Sequence, residues 1–344
     1  MCLYPKLIPN PKYRANKKNG YNPPIPKDDR VLFVPIGCGQ CMECRKQKAR
    51  AWQVRLHEEI RTTKLNKYFT TFSFSDESLN KLESKVHKKH KKAINKHNKD
   101  RPHDKIKYKK LEGYTLDNAI AKLAVRYYLE NWRKEFKKSV RHWFVTELGQ
   151  KNTERIHIHG IMLTEHDEET IKRKWPYGTT YIGDYVNEKT INYIVKYIYK
   201  VEEKHKYFRP IILTSPGIGK GYMDRKDHIN NKYKGKNTNT LYKTRSGIKL
   251  PLPIYYRNKI YSEEEKEDLW LNLLDEETRY VDGIKISVKD GDETDYWKVV
   301  KQIRHKNRIL GYGNNEINED DKEYEQQLRN LKHAQRFAKL NKLK

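Results

Sequence analysis

Long apolar runs are absent from this chain of 344 residues. No segment approaches the ~20 consecutive apolar residues of a membrane-spanning helix, and the opening Met1-Cys-Leu-Tyr-Pro-Lys6 lacks the apolar core of a signal peptide. A soluble protein with no membrane partner is expected. Cysteine is scarce: Cys2, Cys38, Cys41 and Cys44 are the full set, all within the first 44 residues. Their C-x-x-C-x-x-C spacing is too cramped for a disulfide framework, and a reducing cytosol would keep the thiols free. Cys2 and the triplet could complete a tetrahedral structural Zn²⁺ site. Equally, Cys2 could be incidental and the triplet a reduced, metal-free turn; the spacing leaves both readings open.

Negative charge is also short. Lys and Arg number 73 against 45 Asp and Glu, giving a formal net charge of +28. That excess points to a polyanionic partner. The 25 tyrosines dispersed among the cations suit stacking on unpaired bases. A membrane surface would attract the same charge, but no basic amphipathic helix with a clean apolar face stands out. Nucleic acid is the better fit.

Residues 1–66 read as a Pro- and Cys-rich segment running into a basic helix from Met42 to about Leu65. Arg45, Arg50 and Arg55 flank its apolar stripe as candidate DNA contacts. Residues 67–75 alternate, with Tyr68, Thr70, Phe72 and Phe74 on one side, and predict a strand. The Lys- and His-dense run 80–112 reads as a solvated charged insertion. A helix follows over 116–138, then strands at 141–147 and 155–163 joined as an antiparallel hairpin. A helix near 167–175, a strand near 179–185 and a helix from about 188 to 201 complete residues 67–202. The order predicts an α+β domain with an antiparallel sheet flanked by helices. Residues 203–344 read as a basic, mixed C-terminal region that binds DNA or a partner, with helices at 262–275 and 320–344. Within it, Ile211-Ile-Leu-Thr-Ser-Pro-Gly-Ile-Gly-Lys220 fails as a P-loop, because Thr214 stands where the first Gly belongs and Gly221 where Ser or Thr belongs.

Two short stretches carry chemistry. In Ile156-His-Ile-His-Gly160, His157 and His159 lie two apart on a strand and share a face, so two imidazoles can grip one cation. Glu147, on the adjacent strand, can return its carboxylate beside them. Two nitrogens and one oxygen accept Mg²⁺ or Mn²⁺ and leave positions open for water or phosphate oxygen. Arg155 offers positive charge for a phosphate, and Gly160 leaves room for a ligand backbone. In Tyr193-Ile-Val-Lys-Tyr-Ile-Tyr-Lys200, Tyr193 and Tyr197 are four apart and share one helix face, each followed at three residues by Lys196 or Lys200. A cation near each phenol favours phenolate or the phosphate it attacks, and a paired-His metal site with paired tyrosines suits phosphodiester transesterification.

On these motifs the chain resembles the replication-initiation proteins of the microviruses, above all the gokushovirus branch, within the HUH endonucleases of the two-tyrosine class. The resemblance runs over about the first 220 residues, from Met1-Cys-Leu-Tyr-Pro-Lys6 through Gly37-Cys-Gly-Gln-Cys-Met-Glu-Cys-Arg45 to the tyrosine helix. Phe69-Thr-Thr-Phe-Ser73 matches the first family motif, His157 and His159 the metal-binding second, and Tyr193, Lys196, Tyr197 and Lys200 the third. The resemblance implies an HUH fold with a ferredoxin- or RRM-like core. It also implies nicking of single-stranded origin DNA through a 5′-phosphotyrosyl intermediate, then religation, in rolling-circle replication of a circular single-stranded phage genome. Host polymerase and helicase would be partners, and the host bacterial cytoplasm the setting. The alternatives are another enzyme of the same chemistry, a relaxase or transposase, or a non-catalytic protein that binds or packages single-stranded DNA. A relaxase places its tyrosine before the His motif, the reverse of the order here, and a coat protein has no use for the His and Tyr pairs.

Overall fold

Alternation along Asn66–Phe72 sends Tyr68, Thr70 and Phe72 into an apolar interior and leaves Phe69 and Thr71 on the opposite face. This strand, β1, nucleates the larger of two compact units in the computed structural model, which describes residues 2–149, 154–313 and 319–342. That unit comprises Glu59–Ile218 and Asn318–Lys344; the other comprises Met1–Glu58 and Gly219–Ile317.

In the sheet unit, β1 is followed by helices α1 (Asp76–Asp100) and α2 (Gly113–Phe136), strands β2 (Arg141–Leu148) and β3 (Ile156–Thr164), and helix α3 (Glu168–Arg173). Strand β4 (Thr180–Gly183), helix α4 (Glu188–Tyr199), strand β5 (Ile212–Thr214) and the distant helix α5 (Glu319–Lys342) complete it. The five strands lie in the order β4-β1-β3-β2-β5, all neighbours antiparallel. The α+β architecture expected from the sequence, a sheet flanked by helices, is the one found. The core under the sheet joins Phe72, Phe144, Ile158 and Met162 to Ile120, Ala124, Tyr128 and Trp132 of α2, with Trp175 stacked on Phe72 at 4.5 Å. Side chains of this size contribute about 1.5–3 kcal/mol each on full burial.

The charged run beginning at residue 80 is not a solvated insertion over its first half. It forms most of α1, capped by Ser75, whose side chain accepts from the Ser78 amide, with Asp76 and Glu77 in the first turn. Leu79, Leu82, Val86 and Ile94 are buried along one side. A basic amphipathic helix is thus present, but the core takes up its apolar face.

In the second unit, Lys6–Pro9 pairs with Phe33–Ile36, and Thr278–Val281 pairs with Ile284–Ser287. The helix Thr294–Ile309 packs Tyr296, Val300 and Ile303 with Leu3, Tyr4, Cys41 and Met42 in one small core. A second cluster of tyrosines, Tyr222, Tyr242, Tyr256 and Tyr261, gathers around Val54. Among the described residues, no helix is long and apolar enough to cross a membrane.

Candidate active site

Register places the site. On β2 and β3, Glu147 lies opposite His157 and Val145 opposite His159, while Thr71 of β1 lies opposite His159 from the other side. All of these side chains belong to the sheet face away from the α2 core. His159 is held at both nitrogens. Its Nε2 is 2.7 Å from Glu147 Oε2, and its Nδ1 is 3.0 Å from Thr71 Oγ1. Both bonds are satisfied when Nε2–H donates to the carboxylate and the Thr71 hydroxyl donates to Nδ1. The His157 ring lies 6.4 Å from that of His159, nearly parallel. Burial pushes His157 below the ordinary histidine range, and the neighbouring His159 adds to the effect.

Helix α4 brings the tyrosines. Asn187 and Thr190 form its capping box, and Ile191, Ile194, Val195 and Ile198 are buried, which fixes its rotation. The hydroxyls of Tyr193 and Tyr197 then meet at 2.7 Å with their rings edge to face. The Tyr197 ring lies flat on His159, centroids 4.5 Å apart and planes 5° from parallel. Tyr193 is 52% exposed and Tyr197 only 9%. Burial pushes the Tyr197 phenol far above the ordinary value, with the Tyr193 hydrogen bond and the Glu147 carboxylate adding to it. Lys200 places its ammonium 3.4 Å from Glu147 Oε1 and also pairs with Glu202. Burial works against its charge, yet these carboxylates outweigh that and raise its pKa. Lys196 is exposed on the next turn.

The two histidines, Glu147 and the two tyrosines are therefore gathered at one place. His157, His159 and Glu147 nevertheless do not form a closed ligand set. Among the described residues, the only group of three or more His, Cys, Asp or Glu with ligand atoms all within 4.8 Å of one another is Cys2, Cys38, Cys41 and Cys44. Those four thiols could hold a metal ion. Backbone amides already point at them: Tyr4 and Cys38 donate to Cys2 Sγ at 3.3 and 3.2 Å, and Cys41 donates to Cys38 Sγ at 3.3 Å.

The remaining candidates are placed differently from the expectation. Arg155 turns its guanidinium to Asp76 at the start of α1, in a two-pronged ion pair at 2.9 and 2.7 Å. Arg45 is buried over the Tyr312 ring. Arg55 is sandwiched between Trp52 and Tyr255, 4.1 Å from each ring centre. Arg50 remains exposed. Gly160 has no space for a ligand. It is buried against β2, where an added Cβ would come within 2.2 Å of the Trp143 carbonyl oxygen. Thr71, Phe69 and Glu202 also belong to the site and were not singled out from the sequence. The β1 alternation that marks Tyr68, Thr70 and Phe72 as interior necessarily marks Phe69 and Thr71 as the opposite face.

Residues 112–202 match a family model for the replication-associated proteins of the ORF2 group. The matched stretch, roughly a quarter of the chain, runs from the N-cap of α2 past the end of α4 and holds Glu147, both histidines and both tyrosines. It supports a rolling-circle replication initiator. No curated protein and no solved structure matches the chain.

Proposed function

We propose that this protein nicks and rejoins single-stranded DNA at a replication origin through a tyrosine–phosphate linkage, initiating rolling-circle replication of a circular phage genome of the microvirus type. The observation that carries the reading is the meeting of two phenol hydroxyls beside the His159–Glu147 pair. Two imidazoles and one carboxylate on a single sheet face suit Mg²⁺ or Mn²⁺, and Glu147 already attracts the Lys200 ammonium. His157, His159 and Glu147 would hold that ion, which when bound supplies Lewis-acid polarisation of the scissile phosphodiester.

Exposure assigns the order of the tyrosines. Tyr193 faces solvent and reaches the strand first. Tyr197, held protonated by its burial, donates to the Tyr193 oxygen and stabilises the phenolate there. The Tyr193 oxygen attacks phosphorus; the Oη–P bond forms, the P–O3′ bond breaks, and the departing 3′ oxygen takes up a proton. The products are a 5′-phosphotyrosyl link and a free 3′-OH, which host polymerase extends with a host helicase in the bacterial cytoplasm. Tyr197 makes the second cut after one round, and Lys196 and Lys200 balance the added negative charge. For the four cysteines we propose Zn²⁺ in a structural role, since closed Cys₄ sets take that ion.

The test is a single-stranded oligonucleotide carrying the genome's own origin, incubated with Mn²⁺ and resolved under denaturing conditions. Wild-type protein is expected to give a covalent adduct. Tyr193→Phe should lower single-turnover adduct formation at least 100-fold, and Tyr193→Phe/Tyr197→Phe should abolish it. His157→Ala/His159→Ala should abolish cleavage and retain DNA binding. An adduct that survives in the double phenylalanine variant overturns the assignment, and binding without any adduct from wild type points to a non-catalytic DNA-binding protein.

A further inference from the structure

One strip of the site-bearing sheet face is left uncovered. Helix α4 spans the face on the β2 side, where the strongest helix–sheet contacts lie, but β1 and the edge strand β4 present Phe69, Thr71 and Tyr181 beyond it. Phe69 is half-buried and Tyr181 is 63% exposed. The rings form a continuous series. Tyr181 meets Phe69 edge-on at 6.3 Å, Phe69 meets Tyr193 edge-on at 6.3 Å, and Phe69 lies 6.4 Å from His159 at 21°. The hydroxyl-bearing Tyr193 is therefore one end of an aromatic row that leads away from the tyrosine pair toward β4.

Gly183 makes this strip a recess. It sits opposite Phe69 in the β4–β1 register, where a side chain would project onto the same face. An added Cβ would lie 3.8 Å from both the Phe69 and Tyr181 side chains, in ordinary contact, and the backbone there is not left-handed. Glycine is thus not demanded by strain or crowding at this position; its effect is to leave open the space between two aromatic faces. Lys67, two residues before Phe69 on the same face of β1, supplies a cation beside the opening.

We propose that Phe69, Tyr181 and the gap at Gly183 form a subsite for one unpaired nucleobase flanking the scissile phosphate. A base is flat and apolar on its faces and carries its charge on the attached phosphate, which matches aromatic walls with a lysine at the rim. The subsite sets the course of the strand: from Tyr193 across β1 to the edge of the sheet. It rests on Tyr193 as the nucleophile for its position relative to the cut, but base binding itself is measured without cleavage.

The experiment is fluorescence anisotropy of a labelled single-stranded oligonucleotide at several salt concentrations in the absence of divalent metal. Wild type, Tyr181→Ala, Tyr181→Phe and Gly183→Val are compared, each with the intact oligonucleotide, a set bearing single abasic positions, and a blunt duplex. Tyr181→Ala and Gly183→Val are expected to weaken single-strand binding roughly tenfold, and Tyr181→Phe to restore it. The dependence on salt should be the same for all four, because no charge is removed. One abasic position should weaken wild type and have no effect on Tyr181→Ala, and blunt duplex should not distinguish the proteins. The proposal is overturned if Tyr181→Ala and Gly183→Val bind every oligonucleotide as wild type does, or if abasic penalties are identical in wild type and Tyr181→Ala. Gly183→Val retains every ring, so a folding defect in Tyr181→Ala would not remove the test. Absence of an adduct in the cleavage assay leaves this measurement standing and counts against the nuclease alone.

Discussion

A methyl group at position 160 has nowhere to go. The strand next to it supplies the Trp143 carbonyl and the Phe144 ring at distances no Cβ tolerates, and both are fixed in the β2–β3 ladder. Gly160→Ala should therefore destabilise the sheet unit by about 1–3 kcal/mol through overpacking. Thermal unfolding followed by circular dichroism would check this, and an unchanged midpoint would contradict it. The effect on His159 would be secondary, through movement of its own strand. At this scale the sequence was partly transparent. Spacing alone identified the two histidines, the two tyrosines and Glu147, because period-2 and period-3.6 geometry decide which side chains share a face. Spacing does not reveal which partner a cation chooses. Arg155 is two residues from His157, yet its fork matches the Asp76 carboxylate at a helix start, where negative charge is favoured in any case. Burial likewise decides Arg45 and Arg55, through aromatic neighbours far away in sequence.

Elements were easier to read where apolar residues dominate a face. The tyrosine helix, the hairpin β2–β3 and helix α2 follow their patterns closely. Helix α1 does not advertise itself, because lysine and histidine outnumber its four buried apolar residues and mimic a solvated run. The sheet's fifth strand, Ile212–Thr214, lies in a region whose local signals are weak. Helix α5 shows what sequence cannot display: its docking. Arg329 donates to both oxygens of Asp117 at 2.7 and 3.0 Å, and His333 Nε2 lies 3.0 Å from the same carboxylate. Burial opposes ionisation of Asp117, but the Arg329 guanidinium and His333 hold its pKa down to about 2. Glu325, on the same helix, accepts from the backbone amides of Lys206 and Tyr207, just beyond the tyrosine helix. Arg329→Ala leaves a carboxylate buried without its cation, and a loss of about 3–5 kcal/mol is expected in urea unfolding. Replacing both members, as Asp117→Leu/Arg329→Met, should cost distinctly less. Equal losses for the two variants would show that the ion pair is not what holds α5.

For the whole molecule, the excess of cations was the most reliable sequence signal, and it concerned partners more than fold. Domain composition was harder to read, because each unit is assembled from two separated stretches of chain. Residues 2–44 share a small core with residues 281–303, a pairing that no local pattern announces. The four cysteines lie at the margin of that core, so a bound ion would tie its N-terminal half together. Chelation is accordingly expected to release one zinc per chain and to speed amide exchange over 38–44 and 281–303, while the amides of α2 and β3 keep their protection. Uniform exchange before and after chelation would mean that the cysteines bear no structural ion.

The Asp117–Arg329 pairing has a further consequence during synthesis. Asp117 leaves the ribosome 212 residues ahead of its partner. Until α5 arrives, the nascent sheet unit either keeps that carboxylate in water, with α2 incompletely seated, or shelters it as a neutral acid. A chain cut short before residue 329 would carry the full set of histidines and tyrosines on a scaffold that cannot close, which separates possession of the reactive groups from the capacity to use them.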